Sequence, residues 1–227
     1  MNGIKLYGIL FISFFSCAVS GQQLDFISHV NGKLYYHQYG KGEVIILLSG
    51  GPGSSYRQVE LIATGLSDAY RVILPEQRGT GKSIPVPHDS TTINFAAARE
   101  DIGLLLSGLG LQKAIIIGHS WGARLALSFA CRYPDKVKEL VLVSPGLFNT
   151  TQPMRTALND IIEGRMSQAN ITLLMTYLKK MQKGAMNKID SVNFGKLETM
   201  PFVYDVSRMD SLYSDISAGG ANAKTMG

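Results

Sequence analysis

Residues 118–122 read Gly-His-Ser-Trp-Gly. A serine with glycine two places before and two places after it can stand out of a very tight turn. The flanking sequence supplies such a turn. Lys113–Gly118 is an apolar, strand-like run, and 121–132 reads as a helix stopped near Pro134. A strand-to-helix bend this sharp strains the serine backbone, and small residues on both sides avoid collisions. The hydroxyl then stands above the sheet, and the new helix aims its free N–H groups at the same point. The chemistry that suits this geometry is nucleophilic attack on a carbonyl. Negative charge develops on the carbonyl oxygen and main-chain amides stabilise it. Ser120 is the candidate nucleophile.

A second loop could complete that anion site. Ser49-Gly50-Gly51-Pro52-Gly53 follows an apolar run from Val44 to Leu48. Glycines let the backbone approach a substrate without side-chain obstruction. Pro52 has no N–H, so Gly51 N–H is the expected donor, with Trp121 N–H as its partner. Each such donor is worth about 3–4 kcal/mol in the transition state. Gly50, Pro52 and Gly53 would shape the loop around them.

The third segment is Glu76-Gln77-Arg78-Gly79-Thr80-Gly81-Lys82-Ser83. Its second half imitates the end of a phosphate-binding loop. The full pattern requires glycine where Glu76 stands, and a carboxylate there would repel phosphate. ATP binding is not expected. The motifs imply no metal and no organic cofactor.

Read together, these segments resemble the proline iminopeptidase branch of the α/β-hydrolases. That family carries His-Gly-Gly-Pro-Gly, then Asp-Gln-Arg-Gly-x-Gly-x-Ser, then Gly-x-Ser-Trp-Gly, in this order. The present chain has SGGPG at 49–53, EQRGTGKS at 76–83 and GHSWG at 118–122. The resemblance covers residues 24 to about 146 well and the remainder loosely. It implies release of an N-terminal residue, preferably proline, from short peptides through an acyl-enzyme. It also implies that Gln77 and Arg78 help build the loop around the active site. Ser49 stands where the family has histidine, and Glu76 where it has aspartate. The family's amine-gripping cap segment contains tryptophan, and here Trp121 is the single tryptophan. Glu163 and Glu198 are possible substitutes, or solvated helix charges. A carboxylic-ester hydrolase and a non-catalytic binding protein remain as alternatives on the same chassis. The expected partner is a small peptide or ester.

The elements that would carry these loops follow from patterning. Residues 24–30 and 33–39 read as strands joined by a turn at Asn31-Gly32. Strands are also expected at 43–49, 70–75, 113–118 and 138–143. Helices are expected at 56–67, 94–109 and 121–132. Phe95, Ala98, Ile102, Leu105 and Leu109 recur at helical spacing. Buried strands alternating with helices predict an α/β fold, a mostly parallel sheet with helices on both faces. After Gly146 the pattern becomes polar and Met-rich, with helices expected at 153–165, 167–183 and 203–216 and a loop at 217–227. Residues 21–146 therefore read as the hydrolase core, and 147–227 as a helical cap with a tail.

Residues 1–20 have a different layout. Lys5 precedes an apolar run from Leu6 to Phe15, and Ala18-Val19-Ser20 offers small residues before a cut at Gly21. This is the pattern of a secretory signal. The run is shorter than the roughly 20 residues a membrane span needs. Export to the periplasm or the outside is expected, with lipidation at Cys17 as the alternative. Cys131 then has no intrachain partner, and its neighbours Phe129 and Ala130 suggest a buried packing thiol. The charge is +5, or +4 without the lysine of residues 1–20. No dense basic block with interleaved aromatics marks a nucleic-acid site.

The four histidines are His29, His37, His88 and His119, and none follows Ser120. In the fold implied, the acid and then the histidine come after the serine. Strand 138–143 would also be left as an apolar edge. The expectation is a shortened chain, inactive by itself, lacking roughly two strand-helix units.

Overall fold

The computed structural model describes residues 23–146, 152–203 and 205–210. The leader-like residues 1–20 and the expected tail loop at 217–227 lie outside the described residues.

Six strands form one sheet. They are β1 (Gln23–His29), β2 (Gly32–Tyr39), β3 (Glu43–Leu48), β4 (Tyr70–Pro75), β5 (Ala114–His119) and β6 (Val137–Val143). Their spatial order is β1-β2-β4-β3-β5-β6. β1 and β2 form the antiparallel hairpin, and β2 runs antiparallel to β4. From β4 onward every pairing is parallel, with β3 between β4 and β5. Three helices connect these strands: α1 (Glu60–Leu66), α2 (Phe95–Gly108) and α3 (Trp121–Arg132).

Strand side chains alternate between faces, and the core divides accordingly. Val44, Ile46 and Leu48 of β3, Ile73 of β4 and Ile116 of β5 join Ile102, Leu105, Leu106, Leu125 and Phe129 from α2 and α3. Ile45 and Leu47, Val72 and Leu74, and Ile115 join Val59 and Ala63 beside α1. An unbroken apolar run such as 44–48 is what a strand covered on both faces requires. Helices therefore lie on both faces, as the sequence predicts. β6 pairs only with β5 among the described residues, and its Val141 is 43% exposed.

Some expectations need correction. The helix expected over 56–67 is a 3₁₀ turn at Tyr56–Val59 followed by the short α1. Cys131 is exposed, not buried. The core-facing residues of α3 are Gly122, Ala123, Leu125, Ala126 and Phe129, and position 131 is turned away from that stripe.

Beyond residue 151 come α4 (Gln152–Gly164), α5 (Gln168–Gln182) and α6 (Lys188–Thr199). Met166, Tyr177 and Leu197 form a small buried cluster. The sequence patterning did not reveal α6. Within the helix expected at 203–216, a 3₁₀ turn occupies Val206–Arg208 and α-helical conformation is present at Met209 and Asp210, and residues 204 and 211–216 lie outside the described residues. Among the described residues, no helix is long and apolar enough to cross a membrane.

Candidate active site

β5 ends at His119 and α3 begins at Trp121, so the chain turns from sheet to helix within one residue. That residue is Ser120, with φ 52° and ψ −114°. A non-glycine residue in such a conformation costs on the order of 1–3 kcal/mol, and its surroundings must hold it there. Three bonds do so. Ser120 N–H donates to Val143 O at 2.9 Å, and Ser120 O accepts from Ala123 N–H and Gly146 N–H, both at 3.1 Å. The end of β6 thus braces the bend. Ser120 is half-buried rather than enclosed in the core.

The flanking glycines are steric requirements. A Cβ on Gly118 would stand 2.4 Å from Gly122 O, and one on Gly122 would stand 2.4 Å from Ser49 O. The second contact joins the elbow to the 49–53 loop. Gly50 makes a further junction, since its Cβ would lie 3.1 Å from Ser120 Cβ and 2.9 Å from His119 Nδ1. Gly51 and Gly53 adopt φ of 58° and 80°, a left-handed geometry that glycine enters freely. The turn bond of this loop runs from Ser54 N–H to Gly51 O and uses the carbonyl, not the amide, of Gly51. Trp121 is the first helical residue, so its N–H has no intrahelical acceptor. Pro52 and Trp121 both line one cavity.

Gln77 and Arg78 both brace this region, and neither bonds to Ser120. Gln77 Nε2 donates to Ser49 O at 2.8 Å and to Ser49 Oγ at 3.0 Å. Arg78 Nε donates to Asp101 Oδ2 at 3.0 Å, and a second short bond joins its Nη2 to Asp101 Oδ1. Both side chains of that pair are 8% exposed. Burial pushes the Asp101 carboxyl up to about 6, with Arg78 pulling the other way. Glu76 accepts from the Lys82 N–H and sits 2.9 Å from His37 Nε2, which stacks on Tyr56. A Cβ on Gly81 would strike this carboxylate at 2.2 Å. The loop that imitates a phosphate site is filled by its own acid.

No side chain among the described residues is hydrogen-bonded to Ser120 Oγ. His119 Nδ1 is buried near Gly50 with no hydrogen-bond partner among the described residues, and burial lowers the pKa of His119. His37 is engaged with Glu76, and His29 Nδ1 accepts from Asn31 N–H in the hairpin turn. Of the two acids considered for an amine grip, Glu198 is exposed, and the Glu163 side chain lies outside what is described. Sequence reasoning missed Asp101. Its signal was a charge on the apolar stripe of α2, among Ala98, Ile102 and Leu105.

The family model described as alpha/beta hydrolase fold matches residues 43–172. The chain is 29% identical over 136 residues to a cis-3-alkyl-4-alkyloxetan-2-one decarboxylase of Shewanella oneidensis, covering 59% of this chain and 42% of that protein. It is 38% identical over 116 residues to a proline iminopeptidase of Xylella fastidiosa, covering 49% and 36%. It is 31% identical over 202 residues to a 2-hydroxy-6-oxononadienedioate/2-hydroxy-6-oxononatrienedioate hydrolase of Paraburkholderia xenovorans, covering 85% and 66%. The chain thus spans between 36% and 66% of these relatives' lengths. Among solved structures, an epoxide hydrolase from hot-environment metagenomes aligns with a TM-score of 0.57 at 23% identity, covering 90% of this chain and 68% of that one. That likeness is one of fold. The family match takes in more than half of the 227 residues, and the chain is a member of the α/β-hydrolase family, with its resemblance to the proline iminopeptidase branch upheld.

Proposed function

We propose that this chain carries the nucleophile and oxyanion site of a serine hydrolase that releases N-terminal residues, preferably proline, from short peptides. Ser120 attacks the carbonyl carbon. The oxyanion receives hydrogen bonds from Gly51 N–H and Trp121 N–H. The amine leaves, and water then clears the acyl-serine. The observation that carries this reading is the backbone of Ser120, at positive φ and braced between strand and helix while the residue stays only half-buried. The preference for proline is supported by the three-motif resemblance and by the Xylella fastidiosa relative. The general base is not identified among His29, His37, His88 and His119. The helices after residue 151 are proposed to act as a cap. The leader-like residues 1–20 point to export.

The experiment compares prolyl-β-naphthylamide with p-nitrophenyl acetate, using protein isolated from its native host and the Ser120→Ala variant. Faster turnover of the prolyl amide, lost in the variant, is the expected result. A preference for the ester would make the protein an esterase. Turnover of neither substrate by folded protein would favour a non-catalytic binder.

A further inference from the structure

The charge of the chain is unevenly placed. Residues 167–197, which hold α5, α6 and the turn between them, contain five lysines and one acid, Asp190. The whole chain carries +5, so this helical hairpin supplies most of it. Two of the lysines are neutralised. Lys180 Nζ donates to Asp190 Oδ1 at 3.0 Å, and Lys196 Nζ donates to Asp210 Oδ1 at 2.6 Å. Lys179, Lys183 and Lys188 are exposed and have no acidic partner among the described residues.

These three cations gather where the hairpin turns. Tyr177 of α5 and Leu197 of α6 bury the inner side together with Met166. α5 ends at Gln182 and α6 begins at Lys188. Bonds from Gly184 N–H to Met181 O and from Ala185 N–H to Lys180 O close the end of α5. The Lys180–Asp190 pair and the reciprocal cap between Asn187 and Asp190 brace the tip. Apolar side chains are exposed at the same end, with Ile189 72% and Met181 49% exposed. A lone exposed apolar residue is ordinary. Two of them among unpaired ammonium groups on a braced tip form the pattern of an interfacial surface, in which apolar residues enter the acyl boundary and lysines meet anionic headgroups. An acidic polypeptide tract would answer the lysines and leave Ile189 in water. A neutral apolar groove would cover Ile189 and strand the lysines. An anionic bilayer answers both.

We propose that the α5–α6 tip docks the protein on an anionic lipid surface. Lys179, Lys183 and Lys188 meet the headgroup phosphates, and Ile189 and Met181 sit below them. α5 has 15 residues, fewer than the roughly 20 needed to cross a bilayer, so the attachment is peripheral. This surface is independent of the reading of Ser120 given above.

Co-sedimentation of the full chain with lipid vesicles tests it. Vesicles of phosphatidylglycerol mixed with phosphatidylcholine should bind at least about tenfold more tightly than phosphatidylcholine alone. Raising the salt from about 0.1 M to about 1 M shortens the screening length from about 10 Å to about 3 Å and should release the protein. The triple variant Lys179→Gln, Lys183→Gln, Lys188→Gln should bind about 100-fold more weakly, at about fivefold for each lysine. Removing three charges elsewhere, by Lys33→Gln, Lys41→Gln and Lys113→Gln on the exposed surface of the core, should change binding little. Ile189→Ser keeps every charge and should weaken binding about tenfold through lost apolar burial. Far-UV circular dichroism checks that each variant is folded; should a triple variant not fold, Ile189→Ser and the salt series decide. Equal binding to both vesicle types, equal losses in the two lysine triples, or no loss in Ile189→Ser overturns the proposal. So does tighter binding to polyglutamate than to vesicles, which would assign the tip to an acidic polypeptide.

Discussion

Gln77 holds Ser49 twice, at the carbonyl oxygen and at the hydroxyl, through a single amide nitrogen. This contact ties the end of β4 to the start of the glycine loop. The Ser49 carbonyl, with that of Leu48, also forbids a side chain on Gly122. One residue just beyond β4 thus helps set where loop and elbow meet. Gln77→Leu should lower stability by about 1–2 kcal/mol, the cost of leaving buried acceptors unpaired. Ser49→Ala should cost less, because the carbonyl bond survives. Urea unfolding midpoints of the two variants check the order, and the reverse order would remove Gln77 from this role.

The glycines of the chain should separate sharply by context. Gly118→Ala and Gly122→Ala each push a methyl group against backbone at 2.4 Å. Each is expected to cost about 3 kcal/mol, at the upper end for overpacked sites. Gly65, inside α1, has nothing within 4 Å of its would-be Cβ. Gly65→Ala should be stabilising by about 0.5–1 kcal/mol, because alanine loses less freedom in a helix. Thermal melts of the three variants test the contrast.

Glu76 predicts a specific pH dependence. Burial favours the protonated acid, but hydrogen bonds from His37 and the Lys82 N–H outweigh it and hold the carboxyl below its ordinary value of 4.5. A group with a depressed native pKa adds stability above its unfolded pKa and loses it as pH falls through the native value. Glu76→Gln should therefore be less stable than wild type at pH 7, with the gap closing below about pH 4. Denaturation midpoints measured from pH 7 to pH 3 check this, and parallel curves would refute it.

Cys131 should react with a thiol reagent such as DTNB without unfolding, because it is exposed. Native protein is expected to show one more fast-reacting equivalent than Cys131→Ser. Equal native titres would mean that the thiol is covered.

The parts of the fold that were legible in the sequence are those where one physical demand dominates. Val44–Leu48 reads as a strand because both faces are buried, and no other pattern satisfies that with a five-residue apolar run. The elbow is legible because backbone contacts at 2.4 Å leave glycine as the residue that fits on each side of Ser120. Cys131 was misread from its sequence neighbours. Two positions along a helix is more than half a turn, so adjacency to buried Phe129 does not bury it. α6 was hidden by weak periodicity, since Ile189 is 72% exposed while Asp190 is buried. Its real signal was local, a reciprocal cap between Asn187 and Asp190. The Arg78–Asp101 pair spans 23 positions, and no local pattern joins two such residues.

The proposed function requires that the Ser120 hydroxyl be a reactive nucleophile at an oxyanion site. Fluorophosphonate labelling of protein from its native host, followed by peptide mass analysis, tests it most directly. The account predicts one adduct, on the peptide containing Ser120. It should vanish in Ser120→Ala and weaken in Gly50→Ala, whose methyl group would press on Ser120 Cβ at 3.1 Å. Folded wild-type protein that stays unlabelled, or carries its label on another residue, would contradict the account.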